Sequence, residues 1–186
     1  MTSPWLWYTS RACGTITLIL LTIVVILGAV TAVDLRSHTS LTTVVVGLHR
    51  ALSLGATLFL LTHISLAVAD SYVDLSLLAV LVPFTAHYEQ TWVGVGSLGL
   101  ALFTLVLLTS LLRQNLSHHF WRSVHWLSYA LAVCSVVHAL MMSTNDQPGL
   151  RMVTVVCAAM MASMIGWRLV SGSALRRRRQ REGATA

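Results

Sequence analysis

VVVGLHRALSLGATLFLLTHISLAVA, running from Val44 to Ala69, decides how the chain must be read. It carries one charge, Arg50 near its start, and two histidines, His49 and His63. About 20 apolar residues suffice for a helix to cross the roughly 30 Å of hydrocarbon in a bilayer. A segment this long and this apolar on every side has no face to offer water, so lipid is its natural solvent.

The rest of the chain agrees. Of 186 residues, 56% are hydrophobic and only 10% charged, against roughly 25% charged in soluble domains. That excludes both a soluble globular domain and a disordered chain, because so few charges cannot build a water-facing surface. Four more stretches are long enough to cross: Cys13–Val33, Trp92–Leu112, Trp121–Met142 and Leu150–Val170. The expected fold is an all-α, polytopic bundle of five transmembrane helices. The first stretch is too long for a signal-peptide core and lacks a basic leader, so it reads as a retained helix. Cys13, Cys134 and Cys157 are odd in number and unrelated in spacing, which fits small packing residues rather than a disulfide or metal framework.

Charge sets the expected orientation. The twelve basic residues are all Arg, and five of them lie in RRRRQR, Arg176 to Arg181. A basic run directly after an apolar helix marks a cytoplasmic flank. Arg36, Arg50, Arg113 and Arg122 then fall on the same inner side, while Asp70, Asp74, Glu89 and Asp146 fall outside. Arg11 and Arg151 run against the trend. The expectation is a multi-pass protein of a bacterial plasma membrane, N-terminus outside and C-terminus cytoplasmic. Its organisation would be an outer segment 1–11, a membrane domain 12–171 and a basic tail 172–186. The long outer connection contains LSLLAVLVPF, Leu75 to Phe84, too short to span and broken by Pro83. A short helix at the outer surface or a re-entrant cap is expected there.

Four of the eight histidines fall inside spans, where polar groups are costly and usually functional. His49 and His63 lie on span two as H-x13-H, and His125 and His138 on span four as H-x12-H. The two spans run in the same direction. Each histidine is about 10 Å from the mid-plane, so His49 is level with His125 and His63 with His138, the layers about 20 Å apart. One imidazole from each helix at each level suits two stacked haems whose irons have no open position. Two layers so far apart would not converge on one zinc or copper ion. Phase is less favourable. Thirteen steps of about 100° leave His138 about 140° away from His125, so span four needs tilt or a local irregularity. His38, His118 and His119 read as solvated loop residues. His87, beside Pro83, Tyr88 and Glu89, reads likewise.

These residues resemble the ferric reductase-like transmembrane domain shared by ferric reductases and NADPH oxidases. The unequal pair H-x13-H and H-x12-H carries the resemblance, with the contexts LHRALSLGATLFLLTH and LTSLLRQNLSHHFWRSVHWLSYALAVCSVVH and the loop LVPFTAHYEQTWVG. It extends over roughly residues 10–170. The resemblance implies a cytochrome b with two b-type haems, the inner iron on His49 and His125 and the outer on His63 and His138. Arg50 and Arg122 would then lie near the inner propionates and Arg151 near an outer one. Phe59, one turn before His63, would lie between the haems or simply pack. Full-length members carry FAD and NADPH domains, yet no Gly-rich dinucleotide turn follows the last span. Electrons are therefore expected from a cytoplasmic flavoprotein or from membrane quinol, and to leave for ferric iron, dioxygen or a redox partner outside. A bacterial relative supplying a periplasmic methionine-sulfoxide reductase is a precedent for such dependence. Two alternatives stay open: a quinol-linked cytochrome of the b561 type, and a non-redox transporter or scaffold whose histidines bind protons or metal ions.

Overall fold

The computed structural model describes residues 4–33, 39–71, 75–143 and 147–184. Arg36, His38, Asp74 and Asp146 lie outside the described residues. Within them the chain forms α1 (Pro4–Val33), α2 (Thr39–Ala69), α3 (Leu77–Leu81), α4 (Gln90–Leu111), α5 (His118–His125), α6 (Leu127–Met141) and α7 (Pro148–Ala184). A 3-10 turn at Arg113–Asn115 joins α4 to α5, and no strand occurs among the described residues. Five segments are long and apolar enough to cross a membrane: Trp5–Thr31, Leu41–Ala69, Gln90–Leu111, His118–Met141 and Pro148–Ser171. The expected all-α bundle of five crossings is the observed fold. Helix is the only open-chain solution for such segments, since each backbone polar group must find its partner inside the segment. Hydroxyls follow the same rule. Thr17 donates to the Cys13 carbonyl, Thr22 to Leu18, Ser53 to His49 and Thr57 to Ser53.

α1 is the centre of the bundle. It packs along α2 and also meets α7 and α6. Leu18, Leu21 and Val25 of α1 close a core with Leu131 and Ala132 of α6 and Cys157 and Met161 of α7. α4 packs chiefly on α6. α2 and α6 make no comparable contact with each other. They face one another across a gap, and that gap holds the site.

Two features depart from the simple five-rod picture. α1 begins at Pro4. Proline suits a first helical position, where its missing N–H would have no partner anyway. Span four is two helices in tandem, α5 and α6, with the junction at Trp126.

At the end of the bundle carrying Ala69, Gln90 and Met141, the apolar loop segment forms the single turn α3. Ser76 caps it by accepting from the Ala79 N–H at 3.2 Å. The buried Ser97 of α4 donates to the Ala79 carbonyl at 2.7 Å and ties the turn down. Phe84, at a φ of 65°, lies over Gly94, where a side chain would meet its backbone nitrogen at 2.8 Å. Ala79, Ala86 and Val93 bury together against Leu75 and Met142. The segment is thus a cap on α4 and α6, while Leu77, Leu78 and Leu81 stay exposed on its other side.

Candidate functional site

The four intramembrane histidines meet in two layers. Ring centroids of His49 and His125 are 6.3 Å apart, and those of His63 and His138 are 6.5 Å apart. Each layer takes one ring from α2 and one from the α5–α6 tandem, across the gap between them. The phase difficulty of span four is eased at its junction. Trp126 ends α5, and the Tyr129 N–H reaches back only three residues, to the Trp126 carbonyl at 3.2 Å. A tightened turn of this kind advances about 120° per residue rather than about 100°, which rotates His138 toward the face of His125.

Three of the rings are held at Nδ1 by backbone. His49 Nδ1 lies 3.0 Å from the Val24 carbonyl, His63 Nδ1 2.7 Å from the Ser10 carbonyl, and His138 Nδ1 2.8 Å from the Trp92 carbonyl. A carbonyl only accepts, so in each bond Nδ1 carries the proton and, in the neutral ring, Nε2 keeps a free lone pair. That tautomer is the one a metal-ligating histidine needs. Ser10 adds to it, donating its hydroxyl to the His63 carbonyl at 3.0 Å with Oγ 3.1 Å from His63 Nδ1.

Glycines make room for the rings. A Cβ on Gly14 would stand 3.0 Å from His63 Nδ1, and one on Gly28 3.4 Å from His49 Cε1. On α4, a Cβ on Gly96 would come within 2.7 Å of His138 Nδ1 and Cε1. α1 thus offers a glycine opposite each α2 histidine, and α4 offers one opposite His138. None of these glycines, nor Ser10, stood out in the sequence. The available signal was the spacing of Gly14 and Gly28, which equals that of His49 and His63.

His125 is held differently. Its Nδ1 is buried without a hydrogen-bond partner, and its ring stacks on Trp121 at 5.1 Å and 25°. The Arg113 guanidinium lies 4.5 Å over the other part of this stack, the Trp121 ring.

The spacing of the rings decides what the layers fit. A metal–nitrogen bond of about 2 Å, with the ring nitrogen roughly 1 Å from the centroid, places two trans imidazoles with centroids about 6 Å apart. Both layers match that distance. Among the described residues, no three His, Cys, Asp or Glu side chains gather into a group able to hold a metal ion. Each layer thus offers one imidazole from each of two helices, at a spacing that would suit a metal centre held between them. Around His63 and His138 a cavity of about 270 Å³ extends to Trp7, Arg11, Asp70 and Tyr88.

The arginines differ in where they stand. Arg50, Arg122 and Arg151 are exposed. Arg11 lines the cavity that also takes in His63 and His138, and lies 4.4 Å over the Trp7 ring. Arg168 of α7, not singled out by sequence, stands beside the His49–His125 layer. His87 is exposed. Phe59 is not among the residues lining the cavity.

A family model described as the ferric reductase like transmembrane component matches residues 13–136. The match includes His49, His63 and His125 and stops two positions before His138. No curated protein and no solved structure matches the chain.

Proposed function

The chain belongs to the ferric reductase-like transmembrane family, and on that premise we propose that it is a di-haem b-type cytochrome carrying electrons across the membrane. The single observation that supports this most is the equal ring spacing in two layers, 6.3 Å and 6.5 Å. His49 and His125 would hold one haem, and His63 and His138 the other. When bound, each haem supplies a one-electron iron couple.

The protein's own work is done by named residues. Val24, Ser10 and Trp92 carbonyls hold three Nδ1 protons and so aim three Nε2 lone pairs into the gap. One imidazole from each helix at each level would hold each haem in a way that suits electron transfer rather than direct ligand binding. Leu54, Leu58 and Leu61 are exposed on α2 and would face lipid. Layers separated by about 20 Å along the helices give a short relay between the two sides. The Arg-rich end of α7 is assigned to the cytoplasm by charge, which makes the His49–His125 layer the inner one. A cytoplasmic flavoprotein or membrane quinol would be the donor. Ferric iron, dioxygen or a redox partner on the far side would be the acceptor.

Haem per polypeptide, with dithionite-reduced minus oxidised spectra of detergent-purified protein, tests the reading. Two b-type haems per chain are expected. One would leave a single-haem relay, and none from a haem-replete host would overturn the reading in favour of a transporter.

A further inference from the structure

Arg168 lies within the last crossing segment, Pro148–Ser171. A cation at such depth is costly, and its long side chain is normally extended to the nearest interface. Here it turns into the bundle instead. Its Nη1 donates to the Gly28 carbonyl at 3.4 Å, and its guanidinium carbon lies 5.2 Å over the Trp126 ring and 5.7 Å over the Tyr129 ring. Each of these partners belongs to the His49–His125 layer. Gly28 is the residue whose missing side chain makes room for His49. Trp126 follows His125, and the Tyr129 N–H bonds back to the Trp126 carbonyl at 3.2 Å.

The guanidinium is therefore fixed beside the layer by a carbonyl and two aromatic faces, none of which neutralises its charge. Among the residues whose side chains are described, the carboxylates Asp70 and Glu89 lie at the opposite end of the bundle. An anion at this level would meet a positioned fork of donors, the geometry guanidinium offers to carboxylate.

We propose that Arg168 is a positioning residue for the inner-layer cofactor, receiving its carboxylate edge and holding its reduction potential up. This rests on the haem reading above. A fixed cation beside a redox centre in a low-dielectric interior favours the form carrying the extra electron. It also cancels the carboxylate charge that would oppose reduction. Arg50 and Arg122 are exposed, whereas Arg168 is half-buried.

The test is a spectroelectrochemical titration of detergent-purified protein, comparing the native chain with Arg168→Gln and Arg168→Lys. Arg168→Gln is expected to move one of the two midpoint potentials downward and leave the other unchanged. Arg168→Lys should restore most of that shift, because charge rather than shape carries the effect. Should Arg168→Gln lose the inner haem, its retention in Arg168→Lys would support the same role for the charge. Two haems with both potentials unchanged in Arg168→Gln would overturn the role of Arg168 and leave the di-haem reading intact. A native chain without haem would overturn both.

Discussion

A Cβ built on Gly96 stands 2.7 Å from the ring of His138, closer than side-chain carbons approach one another, while one built on Gly28 stands 3.4 Å from the ring of His49, an ordinary contact. The His138 ring has little freedom to give way, because Trp92 holds its Nδ1 at 2.8 Å. The two layers are thus packed to different tolerances.

Gly96→Ala should therefore displace His138 and reduce occupancy of the outer layer, leaving the inner haem in place. Gly28→Ala should keep both haems and raise helix stability by up to about 1 kcal/mol, since alanine is the better helix former. Haem quantification and thermal unfolding of the two variants in detergent decide it. Equal haem loss in both would show that the glycines do not differ as the distances require.

His63→Leu removes one ligand of the outer layer and none of the inner. One haem per chain should remain, reducible by dithionite. Retention of two haems would mean that His63 is not an axial ligand.

Trp121 meets both the Arg113 guanidinium and the His125 ring, and His125 Nδ1 is the one of the four without a hydrogen-bond partner. Packing alone fixes that ring. Trp121→Ala should thus lower inner-haem occupancy several-fold, whereas Trp121→Phe, which keeps a stacking face, should lower it little. Aromatic stacking of about 1 kcal/mol corresponds to roughly a fivefold change in an equilibrium. If the two variants bound haem equally, stacking would have no part in holding His125.

His87 is exposed on the loop between the two left-handed residues Phe84 and Glu89, whose φ angles are 65° and 42°. Replacing it with Ala should leave haem content unchanged. Loss of the outer haem in that variant would reassign the outer ligand from His138 or His63 to this loop.

Much of this was legible along the chain. Five crossings follow from apolar runs, because lipid leaves helix as the way to satisfy the backbone. The pairing of His49 with His125 and His63 with His138 followed from depth alone, since rise per residue is fixed. Azimuth was not legible. A uniform 100° per residue turned His138 away from its partner, and the relief came from a tightened turn at Trp126 that no residue pattern announced. Arginine placement was not legible for a related reason. Flanking position favoured Arg50, Arg122 and Arg151, but which arginine enters the bundle depends on which helix face it occupies.

Composition and spacing by themselves determined the solvent, the number of crossings and the depth of each histidine. These depend on local hydropathy and on helix rise, which no neighbour can alter. Tertiary structure alone decided which carbonyl holds each Nδ1, which glycine clears space for each ring, and that Arg168 points inward. Those relations join residues far apart in the chain, and they exist only once α1, α4 and α7 have packed around the gap between α2 and α6.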